Sequence, residues 1–361
     1  MRTSFPLFFC LAVLLPAAAE VFADTAATPP AGYYKLTARG ASDSLLSVPL
    51  LPRPALLARV TAVSANSLTL GFAGMPADGA YAPASGVVYT VQFMTGQLEG
   101  LPYKVTGNTG GVFTVDTQGD DLTHHALGVV AADTVKGDLV HVRACWTVGD
   151  LFGRTADELV LATVPGLSGA VYTSGDLLLL PDNSGMSLDK KPALELGFVP
   201  AQGWRQRGGA TADASAQPLV PGVPFTVRHQ NPTSAAIWVV GYVPQERGVI
   251  RLPAISAGGE NDFAVSLLHP LARTVSGLQL GAVLAPSSDV LSYGDGLLDF
   301  SSNRRGFSPP PEHRLYFTTS GWREGDAPAD AYILSPDFGY VLRLRGAHPV
   351  SYWLQSLPYS R

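Results

Sequence analysis

A Gly-Trp-Arg triplet that occurs twice constrains the fold of this chain more than any other feature. The two copies are Gly203-Trp204-Arg205 and Gly321-Trp322-Arg323, which lie 118 residues apart. A Gly-Asp pair followed by leucines stands upstream of each copy, with its aspartate at Asp176 or at Asp295. The spacing from aspartate to tryptophan is 28 residues in the first copy and 27 in the second. A match of this length predicts one structural unit that is used twice.

The sequence that follows each triplet is repeated as well. A glycine, an aspartate, a Leu-x-Pro turn and an apolar strand ending in arginine come next, and a tryptophan in an apolar run closes the unit. These positions are Gly208, Asp213, Leu219, Arg228 and Trp238 in the first copy and Gly325, Asp330, Leu334, Arg343 and Trp353 in the second. We predict that Arg228 and Arg343 form ion pairs with Asp213 and Asp330.

Composition indicates what kind of unit is repeated. The chain has 38 glycines and 29 prolines in 361 residues, which is too many for long helices. Charged residues make up only 15%, below the roughly 25% of an average soluble protein. We therefore expect a mainly β fold with sandwich-like or barrel-like sheets and an internal duplication in the C-terminal half. The net charge of −5, without any basic stripe, argues against nucleic acid as a partner.

The N-terminus has the pattern of a cleavable export signal. Arg2 precedes an apolar stretch from Phe5 to Leu15, and Val21-Phe22-Ala23 fits the small-x-small cleavage rule. We predict a signal peptide at residues 1–23, with Ala17-Ala18-Ala19 as the alternative cleavage site. The apolar stretch is shorter than the ~18 residues that a membrane span needs, so no span is expected after cleavage. The predicted location is periplasmic, cell-surface or extracellular.

The rest of the chain divides into four regions. Residues 24–31 are rich in Thr, Ala and Pro and predict a flexible lead-in. Residues 32–170 form an N-terminal β region, within which residues 73–148 are candidates for an inserted β-domain. The first Gly-Trp-Arg unit is expected at 171–250 and the second at 251–361.

The case for an insertion comes from a weaker match upstream of the triplets. The segment Asp43-Ser44-Leu45-Leu46-Ser47 is similar to Asp262-Phe263-Ala264-Val265-Ser266, at an offset of 219 residues. That offset exceeds the 118 residues between the tryptophans by 101 residues, which would be extra sequence in the first copy. The alternative is an independent N-terminal β-domain followed by a two-copy C-terminal region.

Local patterns predict individual elements. Tyr103 to Val115 predicts a β-hairpin whose turn is rich in Asn and Gly. Alternation from Leu139 to Val148 predicts one long strand, and Leu278 to Val283 predicts another. Thr155 to Leu161 begins with capping-box spacing and predicts a helix, although its Leu-Val-Leu run suits a strand equally well.

The order of these motifs resembles an uncharacterised family of exported proteins that is paralogous within verrucomicrobial bacteria. The resemblance covers nearly the whole mature chain. Besides the two Gly-Trp-Arg units, the segments that carry it are Ser47-Val48-Pro49-Leu50, Gly137-Asp138-Leu139-Val140 and Trp146-Thr147-Val148-Gly149-Asp150-Leu151-Phe152. The resemblance implies a secreted protein and brings no catalytic residues with it.

Motifs for catalysis or metal binding are absent from the sequence. The chain contains no Gly-x-Ser-x-Gly elbow, His-Glu-x-x-His, Cys-x-x-Cys, phosphate loop or EF-hand loop. Cys145 is the only cysteine outside the signal and predicts a small half-buried side chain. The densest set of potential ligands is Asp116, Asp120, Asp121, His124 and His125. Because this set meets no standard ligand spacing, we favour a solvated loop and expect neither metal ion nor cofactor.

The candidate binding residues are the tryptophan and arginine of each triplet. Trp204, Arg205, Trp322 and Arg323 could form two platforms that stack on sugar rings. Their repetition favours a packing role instead, because duplicated units keep the residues that their packing needs. The other three tryptophans, Trp146, Trp238 and Trp353, are predicted to lie in the core.

Two classes of function follow from these observations. We expect a non-enzymatic structural or ligand-binding β scaffold, whose partner would be an extracellular glycan or another surface component. The alternative is a secreted polysaccharide-active enzyme with carboxylates that the sequence does not identify. A pocket with two buried acids would favour the enzyme, whereas a flat surface with an exposed tryptophan would favour binding.

Overall fold

The computed structural model describes residues 30–72, 74, 76–83, 86–125, 137–164, 175–209, 212–288, 294–301 and 305–359. With 45% of the chain in strands and 5% in helices, the structure confirms the mainly β prediction. None of the helices in these ranges is long and apolar enough to cross a lipid bilayer. The predicted signal peptide and most of the lead-in fall outside the described residues.

The strands follow one another along the chain in four groups. The first two are β1 (Ala31–Ala38) and β2 (Ser42–Leu46). The next six are β3 (Pro54–Val63), β4 (Ser67–Gly71), β5 (Tyr89–Phe93), β6 (Pro102–Thr109), β7 (Val112–Asp116) and β8 (Leu139–Ala144). Then come β9 (Trp146–Thr147), the helix α1 (Val148–Phe152), β10 (Leu177–Leu180), β11 (Leu194–Val199), β12 (Gly203–Gln206), β13 (Pro218–Leu219), β14 (Phe225–His229) and β15 (Ala235–Tyr242). The last ten are β16 (Gly248–Leu252), β17 (Glu260–Ser266), β18 (Arg273–Thr274), β19 (Gly296–Asp299), β20 (His313–Thr318), β21 (Gly321–Glu324), β22 (Ala327–Pro328), β23 (Ile333–Leu334), β24 (Gly339–Arg345) and β25 (Ser351–Gln355).

Strands β3 to β8 close into a six-stranded antiparallel barrel. The order around the barrel is β3-β4-β7-β6-β5-β8, and β8 pairs with β3 to complete it. Alternation along each strand fills the interior with side chains such as Val60, Phe93 and Phe113, all completely buried. The β6–β7 hairpin confirms the prediction made for Tyr103 to Val115. Its turn residue Gly110 has a φ of 52°, which glycine adopts without strain.

The first sandwich is built from residues 31–46 and 146–242. Its larger sheet has the order β2-β14-β10-β11-β12, and the paired strands β1 and β15 form a two-stranded ribbon. Side chains from both layers meet in one apolar core, which includes Leu36 from the ribbon and Phe225 from the sheet.

The second sandwich, residues 248–355, has the same arrangement. Its larger sheet has the order β17-β24-β19-β20-β21-β22, and β16 and β25 form the ribbon. The first five strands of this order correspond one by one to β2-β14-β10-β11-β12. A short pair, β18 with β23, likewise corresponds to β9 with β13.

The two sandwiches cover each other's edge strands with reciprocal loops. The β10–β11 loop of the first sandwich reaches β17, where the Asn183 amide exchanges two hydrogen bonds of 2.9 Å with the backbone of Ala264. The β19–β20 loop of the second sandwich reaches β2, where the Gly306 carbonyl accepts from the Asp43 amide at 3.1 Å. Each edge is thereby protected from pairing with another chain.

The barrel lies between β2 and β9 of the first sandwich in the sequence. It spans residues 54–144, so its first two strands, β3 and β4, precede the segment 73–148 that the sequence predicted as an inserted β-domain. The corresponding connection in the second sandwich is the short stretch 267–272 between β17 and β18.

Three local predictions were wrong, or right only in part. The predicted strand from Leu139 to Val148 stops at Ala144 and resumes as β9, and α1 follows because Thr147 and Asp150 form a capping box. Thr155 to Leu161, predicted as helix or strand, consists of turns and bends. Leu278 to Val283 lies in two short 3₁₀ turns instead of a strand.

The predicted ion pairs of Arg228 and Arg343 were also wrong in their partners. Arg228 donates two hydrogen bonds of 2.8 Å to Asp43, which is opposite it on β2. Arg343 makes the corresponding pair with Asp262 on β17, at 2.8 and 2.7 Å. Both acids belong to the weakly similar segments at an offset of 219 residues, so these segments occupy matching edge strands.

Candidate functional site

The two Gly-Trp-Arg triplets begin equivalent strands, β12 and β21. Gly203 has a φ of 79° and Gly321 a φ of 103°, a region that other residues rarely adopt. A Cβ atom would come within 3.0 Å of Asp213 at the first position and 2.9 Å of Asp330 at the second. The repeated glycine and the repeated aspartate are therefore explained by one tight turn that occurs twice.

The tryptophan of each triplet points into a core. The Trp204 side chain is completely buried, its indole N–H donates to the Gly153 carbonyl at 2.8 Å, and its ring packs edge-on against Phe198. Trp322 is 2% exposed and packs against Phe317, with ring centroids 5.4 Å apart. Neither indole presents a face to solvent on which a sugar ring could stack.

The arginine of each triplet points to the opposite face of its sheet, since side chains alternate along a strand. Arg205 and Arg323 are both half-buried. Arg323 donates to the Asp326 carbonyl at 3.0 Å and to the Ser320 hydroxyl at 3.3 Å. The four candidate binding residues are therefore split between two faces, and the tryptophan and arginine of one triplet do not converge on one ligand.

The acidic and histidine-rich loop forms a junction between the barrel and the second sandwich. Asp120 accepts hydrogen bonds from His125 at 2.8 Å, Tyr103 at 3.1 Å and Tyr352 at 3.2 Å. Burial would raise the pKa of the Asp120 carboxyl, but the hydrogen bond and charge of His125 and the Tyr103 hydroxyl outweigh it and lower that pKa. Within the described ranges no three His, Cys, Asp or Glu side chains are grouped to hold a metal ion.

The outer face of the β1–β15 ribbon carries an exposed aromatic surface. Trp238 is 59% exposed, Tyr33 77% and Val240 70%. Tyr33 lies opposite Val240 and Lys35 opposite Trp238 in the ribbon. The rings of Tyr33 and Trp238 are 6.2 Å apart, and Lys35 Nζ lies 5.8 Å from the Trp238 ring centre. We call these four side chains the aromatic platform.

The prediction that Trp238 lies in the core was wrong. The inward-facing positions of β15 are shifted by one residue relative to those of β25. In β15 the inward side chains are Ile237 and Val239. In β25 the inward side chains are Trp353 and Gln355. A shift of one residue along a strand moves a side chain to the other face. Trp353 is buried as predicted, whereas Trp238 faces solvent.

The aromatic platform lies on the outer face of the β1–β15 ribbon. The corresponding outer face of the β16–β25 ribbon in the second sandwich is covered by the barrel. There, Val249 of β16 belongs to the barrel core and Tyr352 of β25 packs against it. In the first sandwich the corresponding outer face meets no barrel, and its large side chains remain exposed.

A buried charged cluster lies where the barrel meets both sandwiches. Arg143 donates to His141 Nδ1 at 2.5 Å and to the Pro52 carbonyl at 3.0 Å. Glu246 approaches His141 Nδ1 to 3.6 Å. Burial and the charge of Arg143 lower the pKa of His141 to about 3, so this imidazole is neutral at pH 7. The adjoining cavity is only about 20 Å³, and Glu246 is the one carboxylate among its lining residues.

Cys145 lies just beyond β8 and is buried, more fully than the half-buried side chain that the sequence predicted. Burial raises the pKa of its thiol to about 12, so the thiolate needed for nucleophilic attack does not form near neutral pH.

Sequence reasoning missed the aromatic platform, although β1 contains a usable signal. Tyr33, Lys35 and Thr37 alternate with Leu36 and Ala38. A lysine within such an alternation marks the solvent face, and therefore places Tyr33 on it. Comparisons of the chain with protein-family models, with curated proteins and with solved structures give no match.

Proposed function

We propose that this chain is an exported, non-enzymatic β scaffold that binds a glycan through the aromatic platform. The observation that carries the proposal is the exposure of Trp238 and Tyr33 side by side on the ribbon. An exposed apolar patch on a folded domain commonly marks an interaction site. The signal-like N-terminus and the resemblance to the verrucomicrobial family of exported proteins support the export part of the proposal.

The chemistry of the platform suits a sugar ring. The faces of a pyranose carry C–H bonds that can pack on the rings of Trp238 and Tyr33, while its hydroxyl groups stay hydrated at the edge. Lys35 adds a hydrogen-bond donor beside the Trp238 ring. Because tryptophan and tyrosine are rigid, little side-chain entropy is lost when a ligand stacks on them.

The size of the platform favours a glycan over a protein partner. A stable protein interface buries ~800 Å² on each side and on the order of 20 residues. The ribbon presents a single row of residues from each of its two strands, and only Tyr33, Trp238 and Val240 among them are large, apolar and exposed. That area matches a few sugar rings better than a protein surface.

The test is a glycan array probed with the exported protein and two platform variants. We expect Trp238→Ala and Tyr33→Ala each to weaken binding about tenfold or more, since stacking on one ring contributes on the order of 1 kcal/mol or more. Phe307→Ala is the matched control, because Phe307 is 46% exposed but packs against Arg228 on the sheet side of the sandwich. Its binding should equal that of the unchanged protein.

Two results would contradict the proposal. One is the absence of binding to every glycan on the array, and the other is binding that Trp238→Ala leaves unchanged. Release of new reducing ends from a bound polysaccharide would instead support the alternative, a polysaccharide-active enzyme.

We further propose that the two sandwiches descend from an internal duplication, with the barrel as later sequence within the first copy. Their corresponding strand orders, the paired Asp–Arg contacts and the reciprocal loops support this origin. A crystal structure in which residues 175–243 and 294–357 do not superpose would overturn it.

A further inference from the structure

The outer face of the larger sheet in the second sandwich contains a groove along its central strand, β19. Gly296 and Leu298 form the floor. Arg343 and Arg345 of β24 form one wall, and Arg314 and Tyr316 of β20 form the other. The groove has a volume of about 190 Å³. We call it the arginine groove.

At the equivalent place in the first sandwich, the described residues form an apolar cluster. Arg343 lies opposite Gly296, whereas the equivalent Arg228 lies opposite Leu177. Leu177 and Leu179 pack with Val164 and Val199 into a small apolar cluster that covers the sheet there. Gly296 thus carries no side chain at a position where the first sandwich has a leucine.

The arginines of the groove differ in how firmly they are held. Arg343 is fixed by Asp262 and also donates to Asp189 at 2.8 Å. Arg345 Nε lies 3.2 Å from Glu260. Arg314 is exposed and forms no hydrogen bond or ion pair within the described part of the chain. The groove therefore combines two braced guanidinium groups with one that is free to bind.

Among the described residues that line the groove there is no carboxylate. A guanidinium presents paired N–H donors that match the two oxygens of a carboxylate. A volume of about 190 Å³ is below the ~300 Å³ at which drug-sized sites begin, and it suits one small residue.

We infer that the arginine groove binds the carboxylate of an acidic sugar residue. The inference rests on the second sandwich alone and does not depend on the aromatic platform. The ligand would lie along β19, with its carboxylate on Arg314.

The experiment is calorimetric titration of the whole protein with D-glucuronate at low ionic strength, beside parallel titrations with glucose and with sulfate. We expect glucuronate to bind and glucose not to bind. Arg314→Gln should raise the glucuronate Kd about tenfold, because it removes one charged bidentate contact. Arg53→Gln is the matched control, since Arg53 is exposed and lies outside the groove, and its Kd should stay within about twofold.

Other outcomes would overturn the inference. The first is that glucuronate gives no heat of binding up to ~20 mM, well above the ~1 mM that weak sites reach. The second is an unchanged glucuronate Kd in Arg314→Gln. The third is that sulfate binds more tightly than glucuronate. Trp238→Ala distinguishes the arginine groove from the aromatic platform. The inference requires that this variant bind glucuronate with the Kd of the unchanged protein, even if it loses glycan binding. A thermal melt of each variant confirms that the exposed substitutions leave the fold intact.

Discussion

Trp204 and Trp238 show how position within a strand decides the role of the same side chain. Trp204 fills the core of the first sandwich and satisfies its indole N–H inside it. Trp238 lies in the same sandwich but on the solvent side of the ribbon. A buried aromatic side chain contributes through its burial and its ring contacts, whereas an exposed one is free to contribute to binding.

These two tryptophans give a matched test of stability. Trp204→Ala should lower the free energy of unfolding by roughly 3–5 kcal/mol, because it leaves a large cavity and an unpaired Gly153 carbonyl. Trp238→Ala should change it by less than about 0.5 kcal/mol, since an exposed side chain leaves no cavity. Urea denaturation followed by circular dichroism measures both. Equal losses from the two substitutions would show that the assigned faces of β12 and β15 are wrong.

The extent to which sequence predicts this fold depends on how local each signal is. The β6–β7 hairpin was predicted because its turn residues determine its geometry within a few positions. The matched placement of Asp43 and Asp262 was also detectable, since each edge strand keeps the acid that its neighbouring arginine needs. Which face of β15 and β25 is buried could not be predicted, because a one-residue shift exchanges the two faces of a strand without altering its apolar composition.

The helix α1 was missed for a related reason. Its first residue, Val148, continues the apolar alternation of β8 and β9, so period-2 patterning extends the predicted strand into the helix. The capping box between Thr147 and Asp150 decides otherwise. The aromatic platform was missed for a different reason. Sequence repetition singled out Trp204 and Trp322, which are buried, instead of Trp238.

At the scale of elements, the paired edge strands can be tested through their ion pairs. Asp262→Ala removes a largely buried carboxylate and leaves Arg343, among the described residues, with the exposed Asp189 as its one ion-pair partner. We expect a loss of roughly 1–3 kcal/mol in the free energy of unfolding. The matched control is Glu260→Ala on the same strand, whose pair with Arg345 is more exposed, and it should cost less than about 1 kcal/mol. A control that costs as much as Asp262→Ala would contradict a special role for the matched pair.

At the scale of the whole molecule, the barrel and both sandwiches are joined at a buried cluster of charged and titratable groups. Arg143 and His141 come from the barrel strand β8, Glu246 from the link between the sandwiches, and His269 from the second sandwich. His269 donates to the Glu246 carbonyl at 2.9 Å. Because arginine can only donate, its hydrogen bond to His141 Nδ1 requires a neutral imidazole.

This junction predicts that the assembled protein is less stable in mild acid. Burial, and next the charge of Arg143, lower the pKa of His141 from 6.5 to about 3, and burial lowers the pKa of His269 as well. Between pH 6.5 and pH 3, His141 binds a proton in the unfolded chain but stays neutral in the folded chain. The free energy of unfolding therefore falls as the pH drops below about 6.5. For His141 alone we expect a loss on the order of 2 kcal/mol between pH 6.5 and pH 5.

The matching variant is His141→Gln, which keeps a hydrogen-bond acceptor for Arg143 but cannot titrate. Denaturation curves from pH 5 to pH 7 should show a smaller pH slope than in the unchanged protein, by about half a proton at pH 6.5 and nearly one proton at pH 5. His124→Gln is the control, because the His124 side chain is 79% exposed and its removal should leave the slope as it was. If His141→Gln retains the full slope, the acid sensitivity does not arise at this junction, and the neutral imidazole is not what holds the three parts together.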